Sequence, residues 1–497
     1  MPRRRRHSSG DEDEPIGVAR QRYARDDDIS HHHISVFAIT FVSFALIHAT
    51  RKTLSTVKGS MINVWTHNTT HGGPLFLHEH DAEDFLALLD FGFLFAYAAG
   101  LYVGGVLGDT HNPRVVLAIG MWLSAIMVFI FGYVTEVTQY YSAQLYFITW
   151  VASGLFQSVG WPTEVCIVGN WFGRGSRGLV LGAWSACASA GNIMGTLIAS
   201  QSLVYGYQYA FGLNSIALFA FGFVVYFALA AHPREVGLPD ASEWASEQHD
   251  VIEVAPNPRP IGFWRAWKLP GVMAYSLAYA CLKLVNYGFF FWLPYYLHSH
   301  FGWAESEADT LSTFYDVGGI LAAIVGGALS DRLSSRTPVV VVMLLLSSVS
   351  LGVYSISPGE FFINAVMLSI VGFFVGGPAN MISSSVSADL GKARELRGHG
   401  EALSTVTGIV DGTGSLGAAL GMLLIPAGQR ALGWDAVFAG FIFMVLCTTA
   451  CLLPLLWREW KERLRVEGGH GAEDEDEERE VGERAALLGG DGGVHDM

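Results

Sequence analysis

Gly105-Val-Leu-Gly-Asp109-Thr-His-Asn-Pro-Arg114 returns later in the chain as Gly327-Ala-Leu-Ser-Asp331-Arg-Leu-Ser-Ser-Arg336. Glycine, leucine, aspartate and arginine keep the same spacing in both copies. Each copy joins two long apolar runs, and an Asp and an Arg at such a turn can pair with each other and with helix ends. One charged turn is commonplace; two matched copies mark an internal repeat.

Working outward, twelve runs are long enough to cross a bilayer as helices. They cover about 32–64, 84–108, 114–134, 139–171, 177–203, 207–231, 270–299, 309–330, 337–356, 360–390, 399–427 and 434–457, with ends uncertain by a few residues. The expected fold is an all-α membrane protein of twelve spans in two six-helix halves. Residues 1–31 form an N-terminal tail, 32–231 the first half, 232–269 a linker loop, 270–458 the second half and 459–497 an acidic tail. Only 15% of the 497 residues are charged, against about 25% in a soluble domain. Acids in the tails and loops, such as Asp11–Glu14 and Glu473–Glu480, supply most of the net charge of −15. That balance gives no reason to expect nucleic-acid binding. Acidic runs of this kind are usually solvated and disordered.

The lysines and arginines orient the chain. With both tails on one side, 25 of the 30 fall on that side, including Arg3–Arg6, Arg114, Arg234, Arg336 and Arg458. Arg430 alone falls in an opposite loop. Positive charge is retained in the cytosol, so both termini and the linker are expected there. Asn68-Thr69-Thr70, the one glycosylation sequon, falls on the other side. Five cysteines lie within apolar runs without CxxC spacing, which suggests neither a disulfide framework nor a zinc site. No signal peptide, nucleophile–base set, cofactor motif or metal motif stands out, so an enzyme is not expected. Arg3–Arg6 fits a topology anchor first and an endoplasmic reticulum retention signal second, and Glu483-Arg-Ala-Ala-Leu-Leu488 fits an acidic dileucine signal; the endoplasmic reticulum membrane is the first expectation, with the vacuole or lysosome and the plasma membrane as alternatives.

Four basic residues break the pattern: Arg51, Lys52 and Lys58 in span 1, and Lys283 in span 7. A charge at mid-membrane costs at least about 2.5 kcal/mol, so it normally faces a cavity, a partner or a substrate. His48, Arg51, Ser55 and Lys58 stand at helical spacing, on one stripe roughly 80° wide, and Lys52 points about 100° away from Arg51. Lys283 and Asn286 share a face of span 7. Two cationic stripes facing each other would suit a dianionic ligand, the Arg offering a planar fork and the Lys a point charge. The alternative is pairing with buried acids: Asp90, Glu164, Asp316 and Asp411. The last three could equally gate or pack.

These residues resemble those of the organophosphate:phosphate antiporters of the major facilitator superfamily. The likeness is greatest to the eukaryotic branch of sugar-phosphate exchangers and plant glycerol-3-phosphate transporters. It covers about residues 33–458, through His48-Ala-Thr-Arg-Lys-Thr53, Gly160-Trp-Pro162, Gly169-Asn-Trp-Phe172, Gly182-Ala-Trp184, Gly191-Asn192, Lys283-Leu-Val285, Phe291-Trp-Leu-Pro294, Asp316-Val-Gly-Gly319, Ser387-Ala-Asp-Leu-Gly391, Ala402-Leu-Ser-Thr-Val-Thr407 and Asp411-Gly-Thr-Gly-Ser415. The resemblance implies a phosphate site between Arg51 and a basic residue of span 7. The bacterial members' arginine falls on Asn286, and Lys283 matches the eukaryotic lysine. Tyr97 matches a site tyrosine, while the bacterial lysine beyond it is Leu101 here. The family's span 5 histidine is missing from Trp184-Ser-Ala-Cys-Ala-Ser189, and His48 could stand in for it or simply line the wall. The implied activity is alternating-access exchange of a phosphorylated sugar or glycerol, such as glucose 6-phosphate or glycerol 3-phosphate, for inorganic phosphate. It needs no cofactor and only a single chain in lipid. A proton-coupled carrier of another solute and a non-transporting organophosphate sensor stay as alternatives.

Overall fold

The computed structural model describes residues 30–67, 73–172, 177–238, 261–333, 335–391 and 402–488. Asn68, Arg3–Arg6 and the Lys392–Arg397 segment lie outside them. Among the described residues every regular element is helical.

Ten helices are long and apolar enough to cross a membrane. They supply span 1 (His31–Thr56, continued by Lys58–His67), span 2 (Glu79–Thr110), span 3 (Pro113–Val137), span 6 (Tyr207–Ala228), span 7 (Val272–Phe301), span 8 (Glu305–Arg332), span 9 (Thr337–Ser355), span 10 (Phe361–Gly391), span 11 (Leu403–Leu432) and span 12 (Trp434–Leu488). The other two spans are each broken into shorter helices: span 4 into Ala143–Gln157 and Gly160–Trp171, span 5 into Arg177–Ser185 and Cys187–Ser202. Pro162 explains the first break. It has no N–H for the carbonyl four residues earlier, at Ser158, where the helix stops. Twelve spans in two halves of six result.

Span 12 departs from expectation. The acidic stretch past residue 458 was expected as a solvated tail, yet the helix runs on to Leu488. Glu, Arg and Ala recur in that stretch and propagate a helix well once a membrane span has nucleated one, against the opposing preference of Gly468, Gly469, Gly471 and Gly482.

Small residues set how closely the helices approach. A Cβ on Gly195 of span 5 would lie 2.7 Å from the Ala49 backbone of span 1. Without a hydrophobic driving force between helices in lipid, such backbone contact supplies the dispersion that holds them. The halves meet along spans 2 and 11 and along spans 5 and 8, with spans 1 and 7 touching between them. A central site is thereby enclosed on every side by helix.

Candidate functional site

Span 1 carries Arg51 halfway along its length, fully buried. Its Nε donates to Gln157 Oε1 at 3.3 Å and its Nη1 to the Tyr287 hydroxyl at 2.8 Å. The guanidinium carbon lies 4.4 Å from the centre of the Tyr97 ring and 5.3 Å from that of Phe93. The third nitrogen, Nη2, is buried with no partner among the described residues. A guanidinium on aromatic faces keeps cation–π attraction. An orphaned charged donor inside a protein nonetheless carries a desolvation cost that an anion would remove.

Lys283, on span 7 of the other half, borders the same aromatic wall. Its Nζ stands 4.9 Å from the Tyr287 ring centre and 5.5 Å from that of Tyr97. Lys283 is not unpaired, however: of the two arrangements the sequence left open, it adopts the pairing with a buried acid. Nζ bonds Asp411 Oδ1 at 2.7 Å and Ser415 Oγ at 2.8 Å, both on span 11. Gly414 makes room, since a Cβ there would meet the Tyr279 ring and Lys283 Cδ. Asn286 also parts from Lys283. It turns towards span 8, where its Oδ1 accepts the Tyr315 hydroxyl at 2.6 Å.

A cavity of about 50 Å³ opens beside this centre, lined by His48, Lys52, Asn192, Asn286, Asp316 and Asn380 among others. His48 Nδ1 is 2.9 Å from Asn192 Oδ1, and Asn192 Nδ2 donates to Asp316 Oδ1 at 2.7 Å. Lys52, about 100° around the helix from Arg51, is by sequence a possible secondary site residue. Span 1 is surrounded by other helices, so both directions lead inward, and Lys52 shares the cavity with His48 one turn before it. Gln157, Asn192, Tyr287 and Asn380 were not picked out as site residues. The signal for three of them was present: an amide inside an apolar helix must find a partner or a cavity.

Residues 40–400 match the Major Facilitator Superfamily. The chain is 47% identical to "Sugar phosphate exchanger 3" of Xenopus laevis over 496 residues, covering 91% of this chain and 98% of that one. The chain belongs to the major facilitator superfamily, among the sugar phosphate exchangers. "Putative glycerol-3-phosphate transporter 2" of Arabidopsis thaliana is 35% identical and covered to 94%, as is this chain. The structure of a proton:xylose symporter bound to 6-bromo-6-deoxy-D-glucose superposes with a TM-score of 0.66 at 13% identity, over 86% of this chain and 95% of that one. That likeness is one of fold.

In this major facilitator protein the halves touch at both ends. On the side bearing the basic loops, Asp109 at the end of span 2 accepts the backbone N–H groups of Ser404 (2.9 Å) and Thr405 (2.7 Å) at the start of span 11. A carboxylate at a helix N-terminus is well placed for the helix dipole. Trp161 Nε1 donates across the halves to the Ser383 carbonyl at 3.0 Å, within a π-helical turn of span 10. The other repeat arginines and aspartate brace single halves. Arg336 binds Asp331 at 3.4 Å and Asp389, whereas Arg114 reaches the Leu229 carbonyl and Glu235 rather than a helix end of its own turn. Glu164 accepts Ser43 Oγ at 2.6 Å within the first half.

At the opposite end Pro294 matters. It lacks the N–H that would bind the Phe290 carbonyl, and that carbonyl instead accepts Lys52 Nζ at 2.8 Å and Ser55 Oγ at 3.1 Å from span 1. Lys58, on the candidate substrate stripe, pairs with Asp90 of its own half at 2.5 Å, the buried-acid pairing that the sequence left open, while its Nζ also lies 3.5 Å from the Phe291 carbonyl of span 7. Arg430 and Asp84 form a half-exposed ion pair between spans 11 and 2 at the rim.

Proposed function

We propose that this protein is an antiporter exchanging a phosphorylated sugar or glycerol, such as glucose 6-phosphate or glycerol 3-phosphate, for inorganic phosphate by alternating access. The observation that carries the reading is Arg51, a buried guanidinium between the halves with one nitrogen unpartnered. A phosphate oxygen takes Nη2, and Lys283 serves as the second ligand once phosphate displaces Asp411 from it. Tyr97 and Tyr287 hold the two cations apart on their rings. Closing an empty site keeps the Arg51 donor uncompensated, and a bound anion removes that penalty. Return therefore favours a loaded carrier, which is exchange. The names of the relatives, sugar phosphate exchanger and glycerol-3-phosphate transporter, support the substrate class.

The distribution of basic residues supports cytosolic termini, and Arg3–Arg6 supports an endoplasmic reticulum membrane. A single chain suffices, since both halves of the site lie within it.

The test is counterflow in liposomes loaded with phosphate. The wild-type chain takes up labelled glucose 6-phosphate or glycerol 3-phosphate, and Arg51→Ala abolishes that uptake. Unchanged uptake by a folded Arg51→Ala protein sinks the assignment.

A further inference from the structure

We infer that Asp316, Asn192, Asn286 and His48 form a second subsite, which binds the hydroxyl-bearing carbon skeleton of the substrate and selects against phosphorylated acids. The inference rests on the exchanger reading above and adds what recognises the organic part.

The cavity wall mixes donors with acceptors. Asp316 offers carboxylate oxygens and holds Asn192 with only one of them. Asn286 accepts Tyr315 through Oδ1, and its amide nitrogen makes no hydrogen bond to a described residue; the same holds for the Asn380 side chain. The Asn192 contact occupies one nitrogen of His48 and leaves the other to the cavity. A hydroxyl group both donates and accepts, so a polyol skeleton can satisfy such a wall in full. An aliphatic skeleton would strand these polar groups, at the desolvation cost of each. A carboxylate beside Asp316 would meet a like charge that opposes it, while Lys52 on the same wall is engaged by the Phe290 carbonyl.

The same carboxylate makes this the wrong place for the phosphate. Tyr287 joins the two subsites: its ring borders the cavity and its hydroxyl holds Arg51. The phosphate and the skeleton then lie to either side of one tyrosine, a separation that suits a phosphate ester.

The Asn192–Asp316 bond also crosses between the halves, from span 5 to span 8. At about 50 Å³ the closed cavity has room for roughly three or four water molecules, less than a sugar needs. Its walls come from both halves and widen as those part. A hydroxyl that accepts from Asn192 and donates to Asp316 replaces the bond broken on opening. Substrate is thereby tied to both halves through its skeleton as well as through its phosphate.

The experiment uses the full-length chain in phosphate-loaded liposomes. Unlabelled glucose 6-phosphate, glycerol 3-phosphate and 3-phosphoglycerate compete with labelled phosphate, and each inhibition constant is divided by that of phosphate itself. In the wild type 3-phosphoglycerate should compete at least about 10-fold more weakly than glucose 6-phosphate. Asp316→Asn should narrow that ratio by about 10- to 100-fold, the effect of one hydrogen bond to a charged group. Asn286→Ala should weaken glucose 6-phosphate relative to phosphate by about 3- to 10-fold, the range for a neutral bond, so the idea stays testable if Asp316→Asn fails to fold. A purely structural role would change all constants together and leave the ratios alone. Unchanged ratios, in variants that still exchange phosphate, overturn the subsite and spare the exchanger. A wild-type chain that exchanges no phosphate overturns the exchanger reading, and the subsite with it.

Discussion

Removing either member of the Lys283–Asp411 pair separates two roles that one contact could have. The side chains are 2% and 4% exposed, so each ion depends on the other rather than on water. Taking one partner from a buried pair costs about 3–5 kcal/mol, because the remaining charge is left uncompensated. Replacing both by apolar groups of similar volume is often neutral. For a chain of 497 residues, an unfolding entropy of about 2.1 cal/mol/K per residue gives about 1 kcal/mol/K. Lys283→Met and Asp411→Leu should each lower the melting temperature of the detergent-purified protein by about 3–5 °C. The double variant should recover most of that loss. If Lys283 is also a phosphate ligand, the recovered double variant still exchanges phosphate about 10- to 100-fold more slowly, the effect of losing one charged hydrogen bond. Single variants that melt with the wild type would refute the energetic argument for the pair. A stable double variant that exchanges at the wild-type rate would refute Lys283 as a ligand and leave Arg51 alone in that role.

Two further changes probe the gates. Pro294→Ala returns an N–H to the Phe290 carbonyl and should weaken the Lys52 bond to it, the part of the latch that remains when Ser55 is the reporter position. The expected result is faster labelling of a Ser55→Cys reporter by an impermeant thiol reagent added on the side of Arg430, and an unchanged rate would show that the carbonyl does not control that gate. In Gly408→Val the new Cβ lies 2.5 Å from the Leu101 carbonyl and 3.0 Å from Gly105 Cα, both backbone atoms that cannot swing aside. Spans 2 and 11 then cannot close on the basic side, and phosphate exchange should fall at least about 10-fold; near-normal exchange would mean that those helices part there in every working state.

Span number, the repeat and the four intramembrane cations were legible because each rests on a local property: run length, spacing or charge. What the cations touch was not. Asp411 lies 128 residues from Lys283, and a helical wheel of span 7 puts Asn286 on the same face although the two side chains lean to different neighbours. For Lys52 the wheel gave an angle but excluded no face, since the buried middle of span 1 has helices on all sides. The break at Val57 is marked only by Gly59, two residues beyond it, which is a weaker signal than proline. The break in span 4 did have such a marker, Pro162, within the Gly160-Trp-Pro162 stretch.

The placement of ion pairs bears on how such a molecule can rock at all. Among the described residues the buried pairs lie within a half: Lys58–Asp90 in the first, Lys283–Asp411 in the second. The ion pair that spans the halves, Arg430–Asp84, is about half exposed, so water replaces each partner as it breaks. The buried bonds between the halves each have a neutral group on at least one side: Lys52 and Ser55 on the Phe290 carbonyl, Arg51 on the Tyr287 hydroxyl, Trp161 on the Ser383 carbonyl, Asp109 on two N–H groups, and Asn192 on Asp316. Hydrogen bonds to neutral partners cost about 0.5–1.5 kcal/mol net, or about 1.5–3 kcal/mol where one side is charged. Parting one end breaks two or three of these. Turnover at about 10 per second allows a barrier of about 16 kcal/mol. Two buried ion pairs broken at that end would take a large share of it, at about 3–5 kcal/mol for each charge left alone. Irregular helices ease the problem, since Pro294 and the π turn at Ile382–Val386 offer the second half's carbonyls to Lys52 and Trp161, which then need no carboxylate partner within bonding distance. Among the described residues Arg51 carries a buried nitrogen between the halves with no hydrogen-bond partner, so on the exchanger reading an anion that completes it would also set when the halves move together.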